Sequence, residues 1–339
     1  MSESRRIASS VVSGALAGTH LTAAERQFLS RESHPGVTLF ARNLDAESRA
    51  GTSHGTLMEL IQEVQSLRVS TLPLLISIDQ EGGRVARLKG PVLDPGPAQD
   101  LAQGRTDAAA QQEIATQAQA MGRALRTLGI NCNFAPCLDI LTNASNTAIG
   151  NRVFGTTADA VSLRGAAFLQ GLQQSGVLGC LKHFPGQGHA QVDTHQGSAH
   201  IPLSAAQLEA RELAPFRHCL PHAAMVMVAH CIYPELDTRE ATRSSVIIEG
   251  LLRKTLRFTG VVVSDDMRMG AVAGDLDAWR GYLVDSILAG VDLLLVCEGL
   301  DHWETAIETL EAEAHRSPAF RHRLQEAASR VDTLRGHSL

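Results

Sequence analysis

Short, nearly continuous apolar runs alternate with longer amphipathic segments along most of the chain. The apolar runs are residues 9–15, 36–41, 73–79, 131–139, 177–184, 223–231, 260–265 and 291–297. Runs without polar alternation suit strands covered on both faces, as in a parallel sheet. Between them lie segments with apolar positions three and four apart, such as LTAAERQFLSR, HGTLMELIQEVQSL, AAQQEIATQAQAMGRALRTLG and TADAVSLRGAAFLQGLQQSG. Several of these open after Thr or Ser and close at Gly, as capped helices do. Eight strands alternating with eight helices predict a single-domain α/β fold, a (β/α)₈ TIM barrel spanning 1–339. A doubly wound open sheet is the alternative. A ninth pattern at 318–336 predicts an extra C-terminal helix.

Composition narrows the function classes. Lys and Arg number 30 against 36 Asp and Glu, a formal net charge of −6, so no basic field exists to bind nucleic acid. Aromatic residues are only 4 %, too few for rows of stacking platforms. No run approaches the roughly 18 apolar residues of a membrane span. The opening MSESRRIASSVVSGALAG is read as leading into the first strand rather than as a leader peptide. The six cysteines match no zinc or redox spacing and sit mostly in apolar runs, so they are read as reduced structural thiols in a cytoplasmic protein.

In a (β/α)₈ barrel the chemistry sits at the C-terminal strand ends. Six of the eight predicted strands deliver a charge or a histidine there. Asp79, Glu81, Arg84 and Arg87 follow the third, and Asp139, Asn151 and Arg152 follow the fourth. Lys182 and His183 end the fifth, His230 the sixth and Asp265–Asp266 the seventh, while Glu298 follows the eighth. A carboxylate at a strand end suits a nucleophile or a metal ligand, or else caps the next helix. The reading here puts Asp265 on the barrel axis and Asp266 at the cap. Asp193 and His195 are two apart, so in extended chain the carboxylate can orient the imidazole for acid–base work. Lys182 is open to two roles, a Schiff-base nucleophile or a hydroxyl donor, and Arg87 and Arg152 suit carboxylate, phosphate or hydroxyls. No histidine motif for a catalytic metal is present. Two long Gly- and Pro-rich loops, 80–106 and 185–203, are expected to be functional.

The segments IDQEGGRVARL (78–88), IGNRVFG (149–155), KHFPGQGHAQVDTH (182–195) and GVVVSDDM (260–267) resemble family 3 glycoside hydrolases. Within that family they look most like the single-domain β-N-acetylglucosaminidases of bacterial cell-wall recycling. The resemblance implies a retaining exo-β-N-acetylglucosaminidase that removes terminal non-reducing β-linked N-acetylglucosamine from 1,6-anhydro-N-acetylmuramyl fragments. It implies Asp265 as nucleophile and His195 as general acid/base partnered by Asp193. It implies Asp79, Arg87, Arg152, Lys182 and His183 as sugar-binding positions. It implies no cofactor and no metal. The partner is a small sugar substrate rather than nucleic acid or membrane, and a monomer is the expected state. Gln187 stands where the family commonly has His or Arg, and His189 replaces a small residue, which leaves the resting conformation of that loop open. A β-N-acetylglucosaminide phosphorylase on the same scaffold, a Lys182 Schiff-base aldolase and a non-catalytic sugar-binding barrel remain as alternatives.

Overall fold

The computed structural model describes residues 1–190, 199–272 and 274–336. Eight parallel strands close into a barrel. They are β1 (Val12–Ala15), β2 (Gly36–Leu39), β3 (Leu75–Ile78), β4 (Cys132–Asn133), β5 (Leu178–Phe184), β6 (Met225–Val228), β7 (Val261–Asp266) and β8 (Leu293–Val296). β1 pairs with both β2 and β8, which completes the closure. All eight predicted strands are present, and the open-sheet alternative is excluded by that pairing.

Helices fill the connections, among them α1 (Glu3–Ser9), α2 (Ala23–Arg31), α3 (Gly55–Ser66), α4 (Asp107–Thr127) and α5 (Ala158–Gln174). The later ones are α6 (Leu213–Cys219), α7 (Val246–Thr255), α8 (Leu276–Ala289), α9 (Leu300–Arg316) and α10 (Pro318–Gly336). α4 shows why these segments are helical: Ala110, Ile114, Ala118, Met121 and Leu125 are buried at steps of three and four. Thr106 caps its first turn through Ala109 N–H. α2 opens on a full capping box between Thr22 and Glu25.

Three expectations are corrected. Residues 3–9 are helical, so the first strand starts at Val12 and not at residue 9. The fourth strand is only Cys132–Asn133 in regular pairing, and beyond it residues 134–138 stay beside β3 and β5 through separate backbone hydrogen bonds, such as Phe134 N–H to the Ile78 carbonyl and Cys180 N–H to the Ala135 carbonyl, and a bridge between Cys137 and Lys182. The 80–106 loop is partly ordered as a hairpin of Gln80–Gly82 with Val85–Ala86 and a helical turn at Ala98–Leu101.

Two apolar layers explain the closure. One packs inside the barrel: Ala15, Leu75, Cys132, Phe134, Cys180, Met225, Met227, Val261, Val263, Leu293, Leu295 and Cys297. The alternate residues, such as Ile76, Leu181, Val226, Val262 and Leu294, pack outward with the helices. α10 closes the N-terminal mouth. Its Val331 and Leu334 join the inner layer, and Arg335 donates to the Leu72 and Pro73 carbonyls at 3.1 and 2.9 Å. Arg323 and Arg330 of α10 pair with the buried Asp292 at 2.7 and 3.0 Å. With that end sealed, the opposite mouth is left for ligands. All six cysteines are free and buried. Among the described residues no helix is long and apolar enough to cross a membrane.

Candidate active site

Strand alternation decides what enters the mouth. Leu75 faces the barrel interior, so two and four residues on, Ser77 and Asp79 follow on the same face. Cys180 likewise hands on to Lys182, and Val261 and Val263 hand on to Asp265. The result is a row of alternating charges at the tops of β3, β4 and β5. Arg87 Nη2 lies 3.3 Å from Asp79 Oδ2, and Lys182 Nζ lies 2.9 Å from Asp79 Oδ1. The same Lys182 Nζ is 2.7 Å from Glu81 Oε1. Arg152 grips Glu81 from the other side, through Nη2 at 2.7 Å and Nε at 2.9 Å. Four of the five sugar-binding positions expected from sequence, Asp79, Arg87, Arg152 and Lys182, therefore meet in one network. The fifth, His183, joins through Arg152 Nη2 at 3.4 Å.

The network sets the charges. Burial works to raise the Glu81 carboxyl, but Arg152 and Lys182 outweigh it and hold it well below the usual carboxylate range. Asp79 is lowered in the same way: burial is opposed by Lys182 and Arg87. Burial works to lower Lys182, yet Asp79 and Glu81 hold its ammonium well above the ordinary lysine value. A Schiff-base lysine must shed its proton to attack a carbonyl. Lys182 is held in the opposite state, which argues against the aldolase reading and for a cationic hydroxyl donor.

His183 is oriented from behind. Its Nδ1 donates to Asp139 Oδ2 at 2.6 Å, which leaves Nε2 as the acceptor facing Arg152. Asp139 is fully buried, and burial pushes it upward, but His183 and the Gln187 N–H hold it below its usual value. Cys137 adds its thiol to Asp139 Oδ2 at 3.3 Å. Among the described residues, Cys137, Asp139 and His183 form the one cluster of three ligand-type side chains, and its atoms are hydrogen-bonded to one another.

The loop after β5 is tied down as far as Ala190. Asn146 Nδ2 donates to the Gln187 carbonyl at 2.9 Å, and Asn143 Nδ2 donates to the Ala190 carbonyl at 3.0 Å. The Gln187 side chain is buried and accepts from the Cys231 thiol at 3.6 Å. His189 Nδ1 meets Thr142 Oγ1 at 3.0 Å. Gly188 lies so close to Ile140 that a Cβ would sit 1.8 Å from its carbonyl oxygen. The two departures are thus accommodated, Gln187 against Cys231 beyond β6 and His189 against Thr142 in the loop that follows β4. Asp193 and His195 lie outside the described residues.

Across the mouth, β7 ends in Asp265 and Asp266, where its pairing with β8 shifts register between Val263 and Asp266. Such an irregularity re-aims side chains at a strand end. Asp265 Oδ1 accepts the Asp266 N–H at 2.8 Å. Asp266 turns away to backbone, its Oδ1 accepting from Arg268 N–H at 3.1 Å and Cys297 N–H at 3.0 Å. Burial first, and then the neighbouring Asp265 charge, push the Asp266 carboxyl up to about 6. Beneath the mouth the buried Cys180 thiol sits well above its usual value, through burial and then through charges that include Asp79 and Asp265. Asp265 thus ends a strand whose Val261 and Val263 pack in the same interior layer as Leu75 and Cys180, the residues beneath the charged row.

Sequence reasoning placed Glu81, Asp139 and His230 at strand ends without giving them roles. Glu81 is the hub of the charged row, Asp139 fixes the His183 tautomer, and His230 supports the end of β7 through a 3.2 Å contact to the Asp266 carbonyl. The signal was the same strand-end rule; what was missing was the identity of their partners, which are distant in sequence.

Comparison with known proteins agrees with this fold. A family model described as the glycosyl hydrolase family 3 N terminal domain matches residues 9–334. A β-hexosaminidase of Stenotrophomonas maltophilia strain K279a is 37 % identical over 309 residues, covering 89 % of this chain and 86 % of its own. A solved family 3 β-N-acetylglucosaminidase from Paenibacillus sp. superposes with a TM-score of 0.88 at 33 % identity, over all of this chain and 63 % of that longer one. NagZ from Neisseria gonorrhoeae, solved in complex with N-trifluoroacetyl-D-glucosamine, gives 0.75 at 29 % identity over 94 % of this chain and 96 % of that one.

Proposed function

Because the chain belongs to glycosyl hydrolase family 3, we propose that this glycosidase is a retaining, exo-acting β-N-acetylhexosaminidase. Its substrates end in β-linked N-acetylglucosamine, and 1,6-anhydro-N-acetylmuramyl fragments of peptidoglycan are the natural class. The observation that supports this reading is the Arg87–Asp79–Lys182–Glu81–Arg152 row at the mouth, with Asp265 ending β7, whose Val261 and Val263 pack in the same interior layer as Leu75 and Cys180. A row of paired charges at the mouth of a sealed barrel can bind several hydroxyls of one terminal sugar, with each cation already oriented by a carboxylate. The names of the relatives, a β-hexosaminidase and a β-N-acetylglucosaminidase, support the acetamido sugar as the one held.

The chemistry then runs in two displacements. Asp265 attacks the anomeric carbon while His195, as imidazolium, gives its proton to the departing glycosidic oxygen. The glycosyl ester is cleaved when neutral His195 takes a proton from water and that water attacks the same carbon, freeing the Asp265 carboxylate. Asp193 stabilises the imidazolium as it forms, as the carboxylate does in a Ser-His-Asp triad. Lys182, Arg152 and the Nε2 edge of His183 hold the sugar in place.

Release of 4-nitrophenol from the N-acetyl-β-glucosaminide and from the plain β-glucoside tests the assignment, each in phosphate-free and in phosphate buffer. The proposal expects strong preference for the former, free N-acetylglucosamine as product in both buffers, and no turnover in Asp265→Asn. Sugar phosphate as the main product would replace hydrolysis by phosphorolysis. Cleavage of the aryl glycoside without cleavage of the N-acetylglucosaminyl-1,6-anhydro-N-acetylmuramyl disaccharide would sink the muropeptide assignment.

A further inference from the structure

Asp266 and His230 lie beside the reacting carboxylate, yet neither enters the two displacements. The N–H, the carbonyl and one carboxylate oxygen of residue 266 are engaged. Its N–H goes to Asp265 Oδ1 at 2.8 Å, its carbonyl to His230 Nε2 at 3.2 Å, and its Oδ1 to the amides of Arg268 and Cys297 at 3.1 and 3.0 Å. The carbonyl also accepts the Met269 N–H at 3.1 Å. His230 is itself fixed. It is 1 % exposed, and because its Nε2 must donate to a carbonyl, its Nδ1 is the acceptor. Tyr282 Oη lies 3.3 Å from that Nδ1. Thr242 Oγ1, closer at 2.8 Å, donates to the same nitrogen and also lies 3.0 Å from the Ala229 carbonyl. Three elements, the end of β6, the segment 241–243 and α8, thus converge on one peptide carbonyl.

We propose that His230 and the Asp266 carboxylate act together as a clamp on the backbone of residue 266, whose N–H sets the direction of the Asp265 carboxylate. Both are positioning residues. The register shift between β7 and β8 leaves Asp265 between the paired positions Val263–Leu293 and Asp266–Leu295, so the side chains around residue 266 add a constraint that pairing does not give Asp265. The inference rests on the proposed role of Asp265 as nucleophile.

Two conservative variants isolate the geometry. Gln at 230 keeps a donor where Nε2 stands. Asn at 266 keeps one oxygen that can accept both amides while removing the charge. The clamp therefore expects His230→Ala and Asp266→Ala to lower kcat on 4-nitrophenyl N-acetyl-β-glucosaminide by on the order of 10- to 100-fold, the cost of a misaimed group. KM should stay unchanged, since the charged row that binds the sugar is untouched. His230→Gln and Asp266→Asn should recover most of the lost rate. Asp266→Asn as slow as Asp266→Ala would show that the charge matters and overturn the clamp. So would undiminished kcat in both alanine variants, or a loss in KM and melting temperature that neither conservative variant repairs. Asp265→Asn is run alongside. If it turns over, the nucleophile assignment fails; if it is dead while His230→Ala is undisturbed, the clamp alone fails.

Discussion

Replacing Glu81 by Gln puts the charged row to a quantitative test. The Glu81 side chain is only 6 % exposed and accepts hydrogen bonds from two cations, Lys182 Nζ at 2.7 Å and Arg152 Nη2 and Nε at 2.7 and 2.9 Å. Gln has the same shape but presents an NH₂ to one of those donors and withdraws the negative charge from both. Breaking a buried ion pair from one side costs about 3–5 kcal/mol, since a desolvated charge loses its partner. For 339 residues the unfolding entropy near the midpoint is about 0.7 kcal/mol per kelvin. The expected fall in melting temperature is therefore about 4–7 °C. Glu209→Gln is the control, because Glu209 and Arg217 are half-exposed and such a pair is worth about 0–1 kcal/mol. Adding Arg152→Met to Glu81→Gln removes the orphaned guanidinium and should return part of the loss. The pH dependence follows from the depressed Glu81 pKa. Its contribution is complete above the ordinary value of 4.5 and is lost as acid titrates the folded carboxylate, so the gap between wild type and variant narrows below that pH. Circular-dichroism melts at pH 7 and pH 4 read both effects. A shift no larger than that of Glu209→Gln would refute the claim that the row is a desolvated network.

Two further outcomes follow from buried contacts. Gly14→Ala places a Cβ 2.1 Å from the Trp303 ring, whose Nε1 is anchored on the Val12 carbonyl at 3.1 Å. The overpacking should lower stability by at least about 1–3 kcal/mol, and Trp303→Leu in the same chain should relieve it; additive losses in urea unfolding would contradict the contact. His34 is fully buried, and burial lowers its pKa from 6.5 to about 4, so the folded state keeps it neutral. Its contribution is full above pH 6.5 and falls by about 3 kcal/mol as pH drops to 4. His34→Leu should flatten that part of the stability curve, and an unchanged slope in urea midpoints from pH 7 to 4.5 would count against it.

The barrel was legible because both faces of each strand are apolar, and the helices because their buried positions recur every three or four residues with caps at Thr and Gly. α10 was legible for the same reason, and its observed span of Pro318–Gly336 coincides with the predicted one. The shortness of β4 was not, since apolar character continues through residues 134–138 where the pairing with β3 and β5 has become irregular. Asp79, Arg87, Arg152, Lys182 and His183 could be nominated from strand ends and family resemblance, because strand parity and the barrel rule are local properties.

What the sequence determined by itself was therefore a set of chemically capable groups, and the end of the barrel to which they belong. Which group holds which was decided by tertiary structure. Glu81 became the hub only because Lys182 and Arg152, 101 and 71 positions away, arrive at the same carboxylate. Asp139 acquired a role when β5 brought His183 to it, and His230 when β6 passed beside the end of β7. Hydrophobic patterning repeats along the chain, so it is written locally. Ion pairing and tautomer choice depend on distances of a few ångströms between distant residues, which exist only once the barrel has closed.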